Sequence, residues 1–173
     1  MTDFGRRPTV LTASVQHGRV TINDFMTEGL ATIDEVDLDK SILYMLGVDA
    51  DDSMSNAAPG KLDFFSATRV RATRIDMFGT WVFGFQVVEF NCAIKSVQRG
   101  EDAFEAGEKS VEITITAVDK AKSILSHLGA EDASSWPLRV TFSLELTNST
   151  TITARRNQSG DAVGFGYELL EFT

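Results

Sequence analysis

Laid over itself with a shift of 82 residues and no gaps, the 173-residue chain matches itself from end to end. Ser14-Val15-Gln16-His17-Gly18 falls on Ser96-Val97-Gln98-Arg99-Gly100, and Lys40-Ser41-Ile42-Leu43 falls on Lys122-Ser123-Ile124-Leu125. Phe83-Gly84-Phe85-Gln86-Val87-Val88-Glu89-Phe90 falls on Phe165-Gly166-Tyr167-Glu168-Leu169-Leu170-Glu171-Phe172. Residues 9–91 share 23 identities in 83 positions with residues 91–173, where unrelated sequences of ordinary composition give roughly five. Repeats of this kind mean a fold built by copying one unit, so the repeat is the strongest constraint on architecture.

The division is even in charge as well. Residues 1–91 carry 8 basic and 13 acidic side chains, and residues 92–173 carry 8 and 12, so neither half is a basic arm or an acidic tail. The expected domains are therefore residues 1–91, a first β module with a short N-terminal arm, and residues 92–173, a second β module. No Pro-rich or Gly/Ser-rich linker separates them, since Glu89-Phe90 runs directly into Asn91-Cys92-Ala93-Ile94. A module of about 80 residues has a thin core by itself, which favours burial against the other copy or another subunit.

Within each module the periodicity is that of strands. Val111, Ile113, Ile115 and Ala117 alternate with Glu112, Thr114 and Thr116, and Val140, Phe142, Leu144 and Leu146 alternate with polar residues. Thr147-Asn148-Ser149-Thr150 reads as a turn. His17-Gly18, with Arg99-Gly100 in the second copy, reads as the turn of a hairpin between Thr9–Val15 and Arg19–Ile22. Lys40–Leu46 and Lys122–Leu128 fit either a short helix capped by Asp37 or Asp119 or a strand, and the strand is preferred because the rest of the module is β. The fold class expected is all-β, two tandem, duplicated small antiparallel β-sandwich modules. The pairs Ile42/Ile124, Leu46/Leu128 and Phe83/Phe165 are expected to be buried in both copies.

The string Ile113-Thr114-Ile115-Thr116-Ala117-Val118-Asp119 with Ala121-Lys122-Ser123-Ile124-Leu125 resembles a β module common in tailed-phage structural proteins. So do Leu146–Ala154, the Val-Gln-x-Gly opening at Val97–Gly100, and the closing Gly-Phe/Tyr-x-aliphatic-aliphatic-Glu-Phe. The second half matches over nearly its full length. The first matches at Ser14–Gly18, Val36–Gly47 and Phe83–Phe90 and departs between Asp49 and Phe65. The module is also distantly similar to H-type lectin domains, small trimer-forming β-sandwiches, but no sugar-binding residue carries over. The resemblance implies a virion component without catalytic activity, in homo-oligomeric assembly with a trimer favoured.

Composition excludes several chemistries. Cys92 is the only cysteine, which rules out an intramolecular disulfide, and two histidines make a His-based metal site improbable. A net charge of −9 argues against nucleic acid as partner. The longest uncharged apolar stretch, Met77–Val88, is far short of the roughly 20 residues a helical bilayer span needs, and the N-terminus lacks the pattern of a secretory signal. Asp49, Asp51 and Asp52 do not make an EF-hand, since that register would need Gly at Met54 and Glu at Gly60. Cofactors and metals are therefore expected to be none.

His17 and His127 stand opposite Arg99 and Met45, so no histidine site is common to the copies. Asp37/Asp119, Lys40/Lys122, Arg74/Arg156 and Glu89/Glu171 are common to both, and are read as turn residues and a cross-strand Arg–Glu pair. Trp81 and Trp136, which have no Trp counterpart, mark candidate partner contacts, with core packing as the alternative. Arg69 and Arg71 share one strand face and are candidates to meet an acidic partner. The expectation is a non-enzymatic phage virion protein, assembled in the host cytoplasm as capsid decoration or cement, or as a neck or tail component. Its partners would be other virion proteins, and the alternative is a carbohydrate-binding adhesion module.

Overall fold

The computed structural model describes residues 13–50, 60–75, 77–132, 141–157 and 160–173. They form an all-β protein of twelve strands: β1 Ala13–Ile22, β2 Glu28–Thr32, β3 Ser41–Ala50, β4 Gly60–Ser66, β5 Arg69–Thr73, β6 Trp81–Phe90, β7 Ile94–Phe104, β8 Ser110–Thr114, β9 Ser123–Asp132, β10 Phe142–Asn148, β11 Thr151–Arg156 and β12 Val163–Phe172. All pairings are antiparallel. Among the described residues no helix is long and apolar enough to cross a membrane.

Strand order recurs with the sequence offset. In the first half, β1-β6-β3 is one three-stranded sheet and β2-β5-β4 runs in the same order as β8-β11-β10 of the second. The β7-β12-β9 set repeats β1-β6-β3. Apolar side chains alternate along these strands and meet between sheets, giving each half a sandwich-like core. Val20, Ile22, Leu62, Val70, Phe83 and Phe85 are among those that fill the first. Phe104, Ile113, Ile152, Val163, Phe165 and Leu169 are among those that fill the second.

The halves are joined by backbone. Gly60 and Lys61 of β4 pair with Ala130 and Gly129 of β9, which fuses β2-β5-β4 and β9-β12-β7 into a six-stranded sheet. A third apolar cluster lies at the joint, with Ile42, Phe90 and Leu170 buried and Cys92, Ile94, Val97, Ile124 and Phe172 partly so. Phe90 and Phe172, which close the two halves, meet edge to face at 5.1 Å.

The ambiguous segments are strands, each entered through one 3-10 turn, Leu38–Lys40 or Lys120–Lys122, capped by Asp37 or Asp119. Both parts of the sequence signal were therefore real, the aspartate cap and the strand. The hairpin expected at His17-Gly18 and Arg99-Gly100 does not form. β1 and β7 run straight through those positions, and each glycine lies beneath an aromatic ring, Phe85 or Tyr167, that an added Cβ would strike. Glycine here serves close approach rather than a turn. The turn read at Thr147–Thr150 is present, with the Asn148 side chain accepting from the Thr150 N–H at 2.8 Å.

Phe83 and Phe165 are buried in both copies, but Leu46 and Leu128 part company. Leu128 is 4% exposed and belongs to the core of the first half, whereas Leu46 is 59% exposed. Both sit at a β-bulge, where β3 and β9 carry one residue more than β6 and β12 opposite. A bulge turns its side chain off the regular alternation. Leu128 then enters the core of the first half, whereas Leu46 stands exposed.

Candidate functional site

The polar residues common to both copies are spent on holding loops. Gln16 and Gln98 each bond the N–H and the carbonyl of one loop residue, Asp34 at 2.8 and 3.1 Å and Thr116 at 2.8 and 3.0 Å. Glu89 and Glu171 accept from the N–H of the capping aspartates, Asp37 at 2.9 Å and Asp119 at 2.7 Å. Arg74 donates to the carbonyls of Met26, Phe78 and Asn23, and Arg156 to those of Glu108, Asp161 and Glu105, all within 3.0 Å. The cross-strand Arg–Glu pair expected from sequence is thus replaced by two separate clamps, because each guanidinium lies under a loop whose carbonyls need donors.

The distinctive chemistry lies at the joint, where the copies differ. Arg99 and Glu168 face each other across β7 and β12, and the equivalent positions on β1 and β6 hold His17 and Gln86. Arg99 Nε donates to Glu168 Oε1 at 2.9 Å, while the Leu43 N–H donates to Oε2 at 2.7 Å. Arg99 Nη2 also donates to the carbonyls of Leu38 and Ser41, both at 2.8 Å, and the guanidinium lies over the Phe64 ring. Ser126 Oγ donates to the Leu43 carbonyl at 2.7 Å. Side chains of the second half thus satisfy an edge of β3 that would otherwise be orphaned.

Glu168 has no solvent exposure. Burial pushes its carboxyl up to about 7, against the downward pull of Arg99 and the Leu43 N–H. Lys61 closes the rim, 2.6 Å from Glu101 and 3.0 Å from Glu131. A cavity of about 210 Å³ remains between Leu62, Asp63, Phe64, Arg99, Tyr167 and Glu168, below the usual range for ligand pockets of roughly 300–1,000 Å³. Both Glu168 oxygens are engaged by the protein, so the arrangement is equipped to lock two bodies together.

A second feature is apolar. Phe25, Met26, Ile75, Met77 and Phe78 stand 49–69% exposed at one tip of the first half. The two loops are tied by the Phe25 N–H donating to the Met77 carbonyl at 2.7 Å, and Asp24 accepts from the N–H of both Phe25 and Gly79. Phe25 holds a left-handed backbone at φ 62, uncommon for a bulky residue. The corresponding positions of the second half are Gly107, Glu108, Asn157, Ser159 and Gly160. The offset comparison contains this contrast, although apolar residues in a loop do not announce themselves by periodicity.

Of the residues singled out from sequence, Trp81 is 4% exposed, its ring stacked near Phe83 and its indole N–H donating to the Phe78 carbonyl at 3.1 Å. Its place is the core. Trp136 lies outside the described residues, as do Asp51 and Asp52, while Asp49 is exposed near the end of β3. Arg69 is exposed, and Arg71 on the same face is held by Asp63 at 2.7 and 2.9 Å. Arg71 already has its acidic partner within the sheet. His17 is exposed and His127 lies against Phe142, its Nδ1 accepting from the Gly129 N–H. Compared with family models, with curated proteins and with solved structures, the chain matches none.

Proposed function

We propose that the protein is a non-enzymatic structural component of a tailed-phage virion. It consists of two tandem copies of one small antiparallel β-sandwich module, residues 1–91 and 92–173, and works in a symmetric homo-oligomeric assembly. A capsid decoration or cement role is preferred to a neck or tail position. The observation that carries the reading is the apolar tip of Phe25, Met26, Ile75, Met77 and Phe78. Contiguous exposed apolar surface on a small protein marks a docking site, and a strained Phe25 held by Asp24 presents a ring to a partner. The buried charges point the other way, inward, where they hold loops and the joint. The sequence resemblance to phage modules supplies the partner class, and a net −9 suits docking beside basic patches of a shell.

The test is a mass-spectrometric inventory and imaging of purified particles, made with the natural chain and with Phe25→Asp combined with Phe78→Asp. The expected result is stoichiometric incorporation of the natural chain and loss of the variant from particles, with the variant still folded in solution. Particles that lack the natural chain, or a free chain with enzymatic turnover, would overturn the reading.

A further inference from the structure

We infer that copies of this chain associate head to tail through their edges, β10 of one copy taking β3 of the next as β4 takes β9 within the chain. The joint inside the chain is a heterologous contact: the edge of one half's second sheet meets the edge and outer face of the other half's first sheet. By the 82-residue offset, the equivalents of β4 and β9 are β10 and β3. Among the described residues both are sheet edges, β10 paired only with β11 and β3 only with β6, with the Leu43 end of β3 already held by Glu168 and Ser126. The inference rests on reading the halves as copies of one module and is independent of the virion assignment.

Part of β1-β6-β3 presents apolar side chains to solvent, while Ile42 and Val88 are already packed at the joint. Leu46 is 59% exposed at the same bulge from which Leu128 enters the first half's core. Val15 is 47% exposed where its counterpart Val97 packs into the joint. In the second half, Phe142 and Leu144 of β10 remain partly exposed beside its core, with Phe142 against His127 at the mouth that Leu46 would meet. Gln86 takes the place of Glu168, and an amide can both accept from the N–H and donate to the carbonyl of Leu125, the counterpart of Leu43.

The charges also complement each other. Within the chain Thr73 donates to Glu131 at 3.3 Å, and Asp63 and Glu101 line the same cavity. At the proposed contact these positions hold Arg155 facing Asp49, and Glu145 facing Arg19, two pairs of opposite sign. In the single chain Arg155 and Glu145 pair with each other at 3.0 Å, both more than half exposed. Repeating one step in this manner closes into a ring or runs on as a filament, according to the rotation it contains.

The experiment uses the full chain carrying Cys92→Ser. One preparation adds Asp49→Cys and another adds Ser143→Cys, the positions of Glu131 and Lys61 in the inner joint. A short thiol-to-thiol cross-linker is expected to join chains when the two preparations are mixed and to leave each alone unlinked. Native mass spectrometry of the natural chain is expected to show a defined oligomer, and Leu46→Glu is expected to weaken it by at least about tenfold. The control Leu30→Glu, on an exposed site elsewhere, is expected to leave it intact. A chain that stays monomeric at tens of micromolar, or cross-links only 49 to 49 or 143 to 143, overturns the proposal. Superposing the halves in an experimental structure separates the two claims: halves that do not superpose refute the duplication, and halves that superpose in a monomer refute only the head-to-tail contact.

Discussion

At the residue scale, Glu168 is a carboxyl with no solvent exposure. Its carboxyl titrates at about 7 in the folded chain and near the ordinary glutamate value of roughly 4.3 when unfolded. A raised folded value means that its stabilising contribution is complete below the unfolded value and falls as pH rises towards 7. Wild type minus Glu168→Gln stability is expected to decline over that window by at most about 3 kcal/mol, read from chemical denaturation at several pH values. A difference that grows with pH would contradict the assignment. Arg99→Ala leaves the carboxyl buried without its cation and is expected to cost about 3 kcal/mol. Glycine at 18 and 100 is required by the rings above it, and Gly18→Ala or Gly100→Ala is expected to cost about 1–3 kcal/mol by overpacking.

At the scale of elements, each half depends on the same three clamps. The Val-Gln-x-Gly motif has its explanation here: the glutamine holds the loop after β2 or β8, and the glycine admits the ring from β6 or β12. Glu171 is held below the usual carboxylate range by the Asp119 N–H and Lys95. Its contribution is therefore present above that range and lost as pH falls from it through the lower folded value, opposite in sign to Glu168. Release of the 3-10 turn at Lys120–Lys122 is accordingly expected only at pH below that range, seen as late loss of amide protection at Ala121 and Lys122 on acidification. Arg74→Lys and Arg156→Lys are each expected to lower stability by about 2 kcal/mol, since an ammonium does not span three carbonyls as a guanidinium fork does. Thermal melting of the two variants checks this, and equal losses would show the clamps to be equivalent.

At the scale of the whole molecule, identical residues have different energetic weight according to what covers them. Leu128→Ala is expected to destabilise the chain by about 2–5 kcal/mol through a cavity at the joint. Leu46→Ala is expected to change the stability of the separate chain by no more than about 0.5 kcal/mol. Denaturant titration of both variants at low concentration measures the contrast. Near-equal losses would mean that Leu46 is covered even in the monomer.

The all-β class, the strand character of most segments and the spacing of the halves were legible in the sequence, because alternation in residues 111–117 and the 82-residue offset are properties of local order. The aspartate caps were legible for the same reason, being contacts between residues two apart. The strand boundaries were not legible, since β1 and β7 run through the turns expected at Gly18 and Gly100. The role of Gly18 and Gly100 was not, since the ring that excludes a side chain comes from a strand far along the chain. Nor was the fate of Leu46, Arg99 and Glu168, where two copies of one pattern part only when one is placed against the other. Sequence by itself determined the repeating unit; the tertiary structure alone decided which copy of each position is covered, because burial belongs to the arrangement of the two units and a repeat writes the same residues into both.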